Sequence, residues 1–132
     1  MADENITKED YAREWLQFAK MDVSSAEFLL GKRPVPTEII CYHCQQSAEK
    51  CLKGLLVLKG QVPPKNHDLT QLFDLCILHF PEIASIKIQC TALNPFSNRP
   101  RYPREIEITE SQMKNAIENA KTVYNFIEPL IH

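Results

Sequence analysis

The sequence has little of what marks several other classes of protein. Its 132 residues include only three glycines, with no single-residue or Ser/Gly-rich tract, which argues against collagen-like, disordered and flexibly linked chains. No apolar run approaches the roughly 20 residues that a membrane-spanning helix needs. The N-terminus is acidic and polar rather than a basic start to an export signal. We therefore expect one domain over residues 1–132, cytoplasmic and without a membrane segment.

The few glycines and the odd cysteine count also exclude some kinds of site. Three scattered glycines form no glycine-rich phosphate loop. Five cysteines without an export signal argue against a disulfide framework. Cys41, Cys44 and Cys51 fall on one side of a predicted helix, and no second closely spaced pair of zinc ligands accompanies them. We expect core thiols, no metal and no cofactor.

Apolar residues at helical spacing predict two long N-terminal helices. The first extends from Lys8 to Leu30, and Thr7 caps it. The second extends from about Thr37 to Lys59 and has a polar strip opposite its core positions. On that strip Glu49 lies four residues before Lys53, the favourable order for an ion pair.

The C-terminal half is predicted to add two more helices. One begins after an Asp68 cap and ends at Pro81, and a short turn of helix follows over residues 82–90. Residues 91–108 contain three prolines in nine positions, which predicts an extended loop and keeps Asn94 out of helical backbone angles. The last helix begins at Thr109, with Gln112 completing a capping box. The fold class is therefore all-α, an up-and-down antiparallel bundle of four main helices and a short fifth.

Charge is distributed unevenly, although the net charge is only −2. Residues 1–28 and 105–132 carry an excess of acids, whereas residues 29–104 carry ten cations and five anions. Two stretches within that middle part, residues 50–67 and 83–104, contain four cations each and no acid. Such stretches are where an anionic ligand would bind.

The Pro-rich segment has the composition of a ligand-binding loop. Guanidinium groups bind phosphate oxygens in a bidentate way, and an aromatic ring can stack on a base. The alternative is structural: Arg101 pairs with an acid such as Glu105, and Tyr102 packs on the bundle. The sequence leaves both interpretations open.

Three motifs in order resemble the HEPN family. They are Cys-Gln-Gln-Ser-Ala-Glu-Lys-Cys-Leu-Lys-Gly-Leu-Leu at residues 44–56, His67-Asp68-Leu69, and Arg101-Tyr102-Pro103 before a final amphipathic helix. The resemblance implies a helical bundle that usually dimerises and is often encoded beside a minimal nucleotidyltransferase. It also implies nucleotide binding or metal-independent ribonuclease activity in toxin–antitoxin or defence systems.

The sequence departs from the ribonuclease members of that family, which carry an Arg followed after four to six residues by His. None of the five arginines here has a His at that distance. The imidazole that would act as general acid or base in RNA cleavage is therefore missing from the motif. We therefore expect a non-catalytic protein that binds an ATP- or GTP-like nucleotide or RNA, as a homodimer with a nucleotidyltransferase partner. The candidate binding residues are Arg99, Arg101, Tyr102, Arg104, Lys50, Lys53, Gln46, Asn94 and His67.

Two alternatives come from other classes of function. One is a divergent ribonuclease that assembles its site across a dimer and uses His67 or His43 to carry the proton. The other is an interaction domain that docks on an acidic partner protein through its basic middle part and its aromatic patch of Tyr11, Trp15 and Phe18.

Overall fold

A computed structural model describes residues 6–97 and 107–131 of the chain. Five α-helices occur there: α1 (Lys8–Leu29), α2 (Thr37–Leu58), α3 (Leu69–Ile77), α4 (Lys87–Leu93) and α5 (Glu110–Ile127). The described residues contain no strand, which confirms the all-α up-and-down bundle. None of these helices has the length and apolar character needed to cross a membrane.

Helix α1 begins as its sequence predicts. The Thr7 hydroxyl accepts a hydrogen bond from the Asp10 backbone N–H at 3.0 Å, which satisfies one of the amide groups left free at the helix start. The small residues Ala12, Ala19 and Ala26 are fully buried on one face. They let α1 pack close to its neighbours.

Helix α2 is the central helix of the bundle and packs against α1, α3, α4 and α5. Every residue from Cys51 to Val57 is buried. Gly54 lies at a close approach to α1, because a Cβ there would stand 3.3 Å from the Ala12 carbonyl oxygen. The strip that the sequence places opposite the core is buried at Glu49 and Lys53, since neighbouring elements cover α2 on more than one side.

The region from α3 to α4 is more helical than its sequence suggests. Asp68 caps α3 as predicted, accepting from the Thr70 and Gln71 backbone N–H groups. Helix α3 ends at Ile77, and 3₁₀ turns at Pro81–Ile86 and Asn94–Ser97 flank α4.

The predicted extended loop is wrong for residues 91–97, and Asn94 adopts helical angles, φ −58° and ψ −37°. Its side-chain oxygen accepts from the Leu69 backbone N–H at 2.9 Å, and this contact favours the helical turn over the pre-proline preference.

Helix α5 and the cysteines follow the predictions. Thr109 and Gln112 form the reciprocal capping box, and α5 packs its apolar face on α2 and α4. All five cysteines are buried and free. Burial raises the pKa of the Cys41 thiol to about 11 and that of the Cys90 thiol to about 12, so these side chains serve the core as small apolar groups.

Candidate functional site

A buried carboxylate on α2 organises the first polar network. Glu49 Oε2 accepts from Lys53 Nζ at 2.9 Å, and Oε1 is 2.9 Å from His67 Nδ1. The side-chain amides of Gln45 and Gln46 also donate to Oε1, each at 3.3 Å. Because the Glu49 side chain is only 4% exposed, these donors replace the water that an ionised carboxylate would otherwise require. We call this set of residues the Glu49 network.

Lys53 is held from two sides within the Glu49 network. Its ammonium group pairs with Glu49 and lies 5.8 Å from the centroid of the Trp15 ring on α1. A cation at that distance from an indole face is attracted by the ring quadrupole. Lys53 therefore joins α1 and α2 and is only 10% exposed, which limits its direct contact with a ligand.

His67 is the exposed member of the Glu49 network, with 59% of its side chain accessible. Since an ionised carboxylate can only accept, His67 Nδ1 is the donor in the pair with Glu49. The other ring nitrogen, Nε2, is then left for a ligand or a proton. The His67 backbone carbonyl also accepts from Gln45 Nε2 at 2.9 Å, so α2 fixes both the ring and its backbone.

Asn94 ties the region after α4 to the start of α3. In addition to its bond with Leu69, its amide donates to Asp68 Oδ1 at 3.2 Å. Asp68 follows His67 directly, so Asn94 is linked to the chain one residue after the exposed member of the Glu49 network. The chain leaves the described residues at Ser97, three positions after Asn94. Arg99, Arg101, Tyr102 and Arg104, which carry most of the predicted phosphate contacts, lie outside the described residues.

A second network joins α1 and α2 through Asp22. Its Oδ1 is 2.9 Å from His43 Nδ1, and its Oδ2 accepts from Lys50 Nζ at 2.6 Å. Asp22 is buried, whereas His43 and Lys50 keep partial exposure. The network therefore has the same form as the first one, a buried carboxylate that orients a more exposed imidazole.

The structure brings together Gln46, Lys53 and His67 among the predicted site residues. Asn94 bonds to Asp68, the residue after His67. Lys50 belongs to the separate Asp22 network. The sequence-based candidate set lacked the two carboxylates that organise these groups. The spacing of Glu49 and Lys53 had indicated their ion pair, which the structure confirms, but Asp22 pairs with residues more than twenty positions away and gave no such signal.

Among residues 6–97 and 107–131, no three His, Cys, Asp or Glu side chains are grouped as a metal ion would require. The Glu49 network offers an exposed imidazole for hydrogen bonding, supported by two amides and a buried ion pair.

The bundle and its motifs place the chain in a known family. The HEPN domain profile matches residues 12–130, so the protein belongs to the HEPN domain family. No curated protein matches the chain with significant similarity.

Two solved structures are similar to this chain. TT1696 from Thermus thermophilus is 26% identical with a TM-score of 0.72, over 89% of this chain and 96% of that one. ST0689, described as an archaeal HEPN homologue, is 23% identical with a TM-score of 0.66, over 92% and 98% of the two chains. The second likeness concerns the fold alone.

Proposed function

We propose that this HEPN protein binds a nucleotide or RNA without cleaving it, and that it acts as a homodimer with a minimal nucleotidyltransferase partner in a toxin–antitoxin-like pair. The observation that carries the binding proposal is the Glu49 network, which holds the exposed His67 imidazole, while Asn94 bonds to Asp68, the next residue along the chain. From Asn94 the chain continues into an acid-free stretch with three arginines. The dimer and the partner rest on family membership.

Each candidate residue has a distinct role in this proposal. Arg99, Arg101 and Arg104 contact phosphate oxygens, for which a guanidinium fork is suited. Tyr102 stacks on a base or donates to the ribose. Gln46 and His67 supply polar contacts at the edge of the Glu49 network. Lys53 acts indirectly, through its ion pair with Glu49. Lys50 lies one turn away and contributes positive potential rather than a direct bond.

Labelled ATP, GTP and a short RNA are titrated against the wild type, Arg101→Ala and His67→Ala. The matched control is Arg33→Ala, because Arg33 is exposed and bonds to the neighbouring Leu30 and Lys32 carbonyls. We expect Arg101→Ala and His67→Ala to weaken binding at least tenfold and the control to leave it unchanged. Absence of binding by the wild type would contradict the proposal.

Salt dependence gives a second measure of the phosphate contacts. If the three arginines engage phosphates of single-stranded RNA, the logarithm of the affinity falls with the logarithm of the salt concentration at a slope of roughly −2, at about −0.7 per phosphate. Arg101→Ala then reduces the slope by about 0.7, whereas Arg33→Ala does not change it.

The carboxylate–imidazole pairs favour a second candidate, a divergent metal-independent ribonuclease. A carboxylate at Nδ1 orients an imidazole and fixes its tautomer, which general acid–base catalysis requires. Total RNA is incubated under chelator with the wild type, His67→Ala, His43→Ala and His79→Ala. His79 is the matched control, since its ring bonds to Gln61 rather than to a carboxylate. Cleavage lost only in His67→Ala or His43→Ala would favour the enzyme over the binding protein.

A further inference from the structure

The outer face of α1 carries apolar side chains that no described part of the chain covers. Tyr11, Phe18, Met21 and Phe28 are all exposed there, and Phe28 is 83% accessible. Together with Glu14 and Ser25 they occupy positions 11, 14, 18, 21, 25 and 28, at alternating steps of three and four. This is the spacing by which one helix packs along another in a coiled coil. We call these six residues the α1 seam.

The α1 seam is symmetric about its own midpoint, between residues 19 and 20. Positions equally distant from that point hold Tyr11 and Phe28, Glu14 and Ser25, and Phe18 and Met21. A twofold axis at the midpoint would place each member of a pair against the other member on a second, antiparallel copy of α1, because an isologous interface joins residue i to j and j to i.

From this symmetry we propose that the α1 seam is an antiparallel homodimer interface in which Tyr11 packs against Phe28 of the partner subunit. The proposal rests on the homodimer in the proposed function and names its surface and register. Phe18 meets Met21 of the partner subunit, a sulfur–aromatic contact. Glu14, the one charged residue of the seam, meets Ser25 of the partner subunit, whose hydroxyl donates to the carboxylate.

Charge and shape both favour this arrangement. In a parallel pairing Glu14 would face its own copy, and like charges repel. A hollow of about 250 Å³ opens beside Tyr11, lined also by Trp15 and Phe18, where the exposed Phe28 of the partner subunit fits. At the other end, Ser24, Phe28 and His43 line a hollow of about 550 Å³. Tyr11 of the partner subunit enters it and so reaches the edge of the Asp22 network.

Disulfide trapping in the full-length protein tests the register. Positions 11 and 28 of one helix are about 26 Å apart at 1.5 Å per residue, well beyond the roughly 7 Å that a disulfide spans between Cα atoms. The variant Tyr11→Cys/Phe28→Cys, oxidised by diamide, is therefore expected to give a covalent dimer on a non-reducing gel and no internal bond. The wild type is the control, because its five thiols are buried.

The single variants distinguish the two orientations. In the antiparallel dimer Tyr11→Cys alone and Phe28→Cys alone place like thiols far apart, so neither cross-links. Cross-linking of either single variant as efficient as that of the double variant would overturn the proposal, as would a wild type that is monomeric at micromolar concentration in light scattering.

A second measurement, of the dimer dissociation constant, uses variants without introduced cysteines. Met21→Asp is expected to raise the dimer dissociation constant at least tenfold, whereas Ile88→Asp, on the exposed face of α4, leaves it unchanged. Equal effects of the two variants would contradict the proposal. Titrating the same variants with labelled ATP and RNA separates the hypotheses, because a dimer that binds neither ligand contradicts the proposed function and leaves the α1 interface intact.

Discussion

Removing the charge of Glu49 is expected to destabilise the protein much more than removing the charge of Glu110. Both glutamates pair with a lysine four residues later, Lys53 and Lys114, at 2.9 Å and 3.0 Å. The two ion pairs differ in burial: the side chains of the first are 4% and 10% exposed, and those of the second are 74% and 66% exposed. The comparison therefore contrasts a buried carboxylate that several donors contact with an exposed one, at the same spacing from its lysine.

The magnitude follows from the contacts of Glu49. Removing one partner of a buried ion pair costs about 3–5 kcal/mol, because the other charge is left without compensation. Glu49→Gln is expected at the lower end, about 3 kcal/mol, since the glutamine oxygen still accepts from Lys53 and the Trp15 ring still faces the ammonium group. Glu110→Gln is expected to cost less than about 0.5 kcal/mol, as exposed pairs at this spacing do.

Thermal unfolding followed by circular dichroism, with urea unfolding for the free energy, measures both changes. For a domain of this length each kcal/mol lowers the Tm by roughly 3–5 °C. The Tm of Glu49→Gln is therefore expected to fall by roughly 9–15 °C and that of Glu110→Gln by less than about 2 °C.

The double variant Glu49→Gln/Lys53→Met tests whether the two side chains are energetically coupled. Lys53→Met alone leaves the buried carboxylate without its ammonium partner, whereas both changes together remove both charges of the ion pair. The summed losses of the two single variants should therefore exceed the loss of the double variant by about 1–3 kcal/mol. Additive losses, or a Tm of Glu49→Gln equal to that of Glu110→Gln, would show that the Glu49 network is not assembled as described.

Three further predictions concern the core, a cap and the dependence of stability on pH. Gly54→Ala is expected to destabilise the protein by about 1 kcal/mol in urea unfolding, because the gain in helix propensity of about 1 kcal/mol is smaller than the cost of pressing a methyl group against the Ala12 carbonyl, about 2 kcal/mol. Thr109→Ala is expected to lose about 1 kcal/mol with its cap, while Thr109→Ser keeps most of it. Burial raises the pKa of Cys90 to about 12, so the thiol's contribution to the free energy of unfolding is complete below about pH 8.5 and falls as the pH rises toward 12. In Cys90→Ala the free energy of unfolding should therefore fall less steeply with pH in this range, by up to about 1.4 kcal/mol per pH unit.

Each of these predictions has its own contrary result. A Gly54→Ala variant more stable than the wild type would mean that α1 and α2 are not in close contact at this point. Equal stability of Thr109→Ala and Thr109→Ser would argue against the capping box. An unchanged alkaline slope in Cys90→Ala would show that this thiol titrates similarly in the folded and unfolded chains.

The helices and their caps were largely predictable because their causes are local. Thr7, Asp68 and Thr109 each bond to backbone groups within three positions, so the signal lies within one short window of sequence. The apolar faces follow the same short-range periodicity. The family could be recognised for a similar reason, since its motifs are short and occur in a fixed order.

Asn94 shows where such local reasoning fails. Its position before a proline favours extended backbone, but its side chain bonds to the backbone of Leu69, 25 positions earlier, and the helical turn persists. No window of sequence around Asn94 contains that partner.

The sequence by itself determined the helical class, the caps, the buried thiols and the concentration of positive charge between acidic ends. Only the tertiary structure decided which polar side chains meet. Burial of Glu49 and Asp22 depends on elements packed around α2, and His67 and His43 reach these carboxylates from 18 and 21 positions away. A carboxylate buried in a low-dielectric interior needs hydrogen-bond donors, and the packing of the helices decides which donors lie within reach of it.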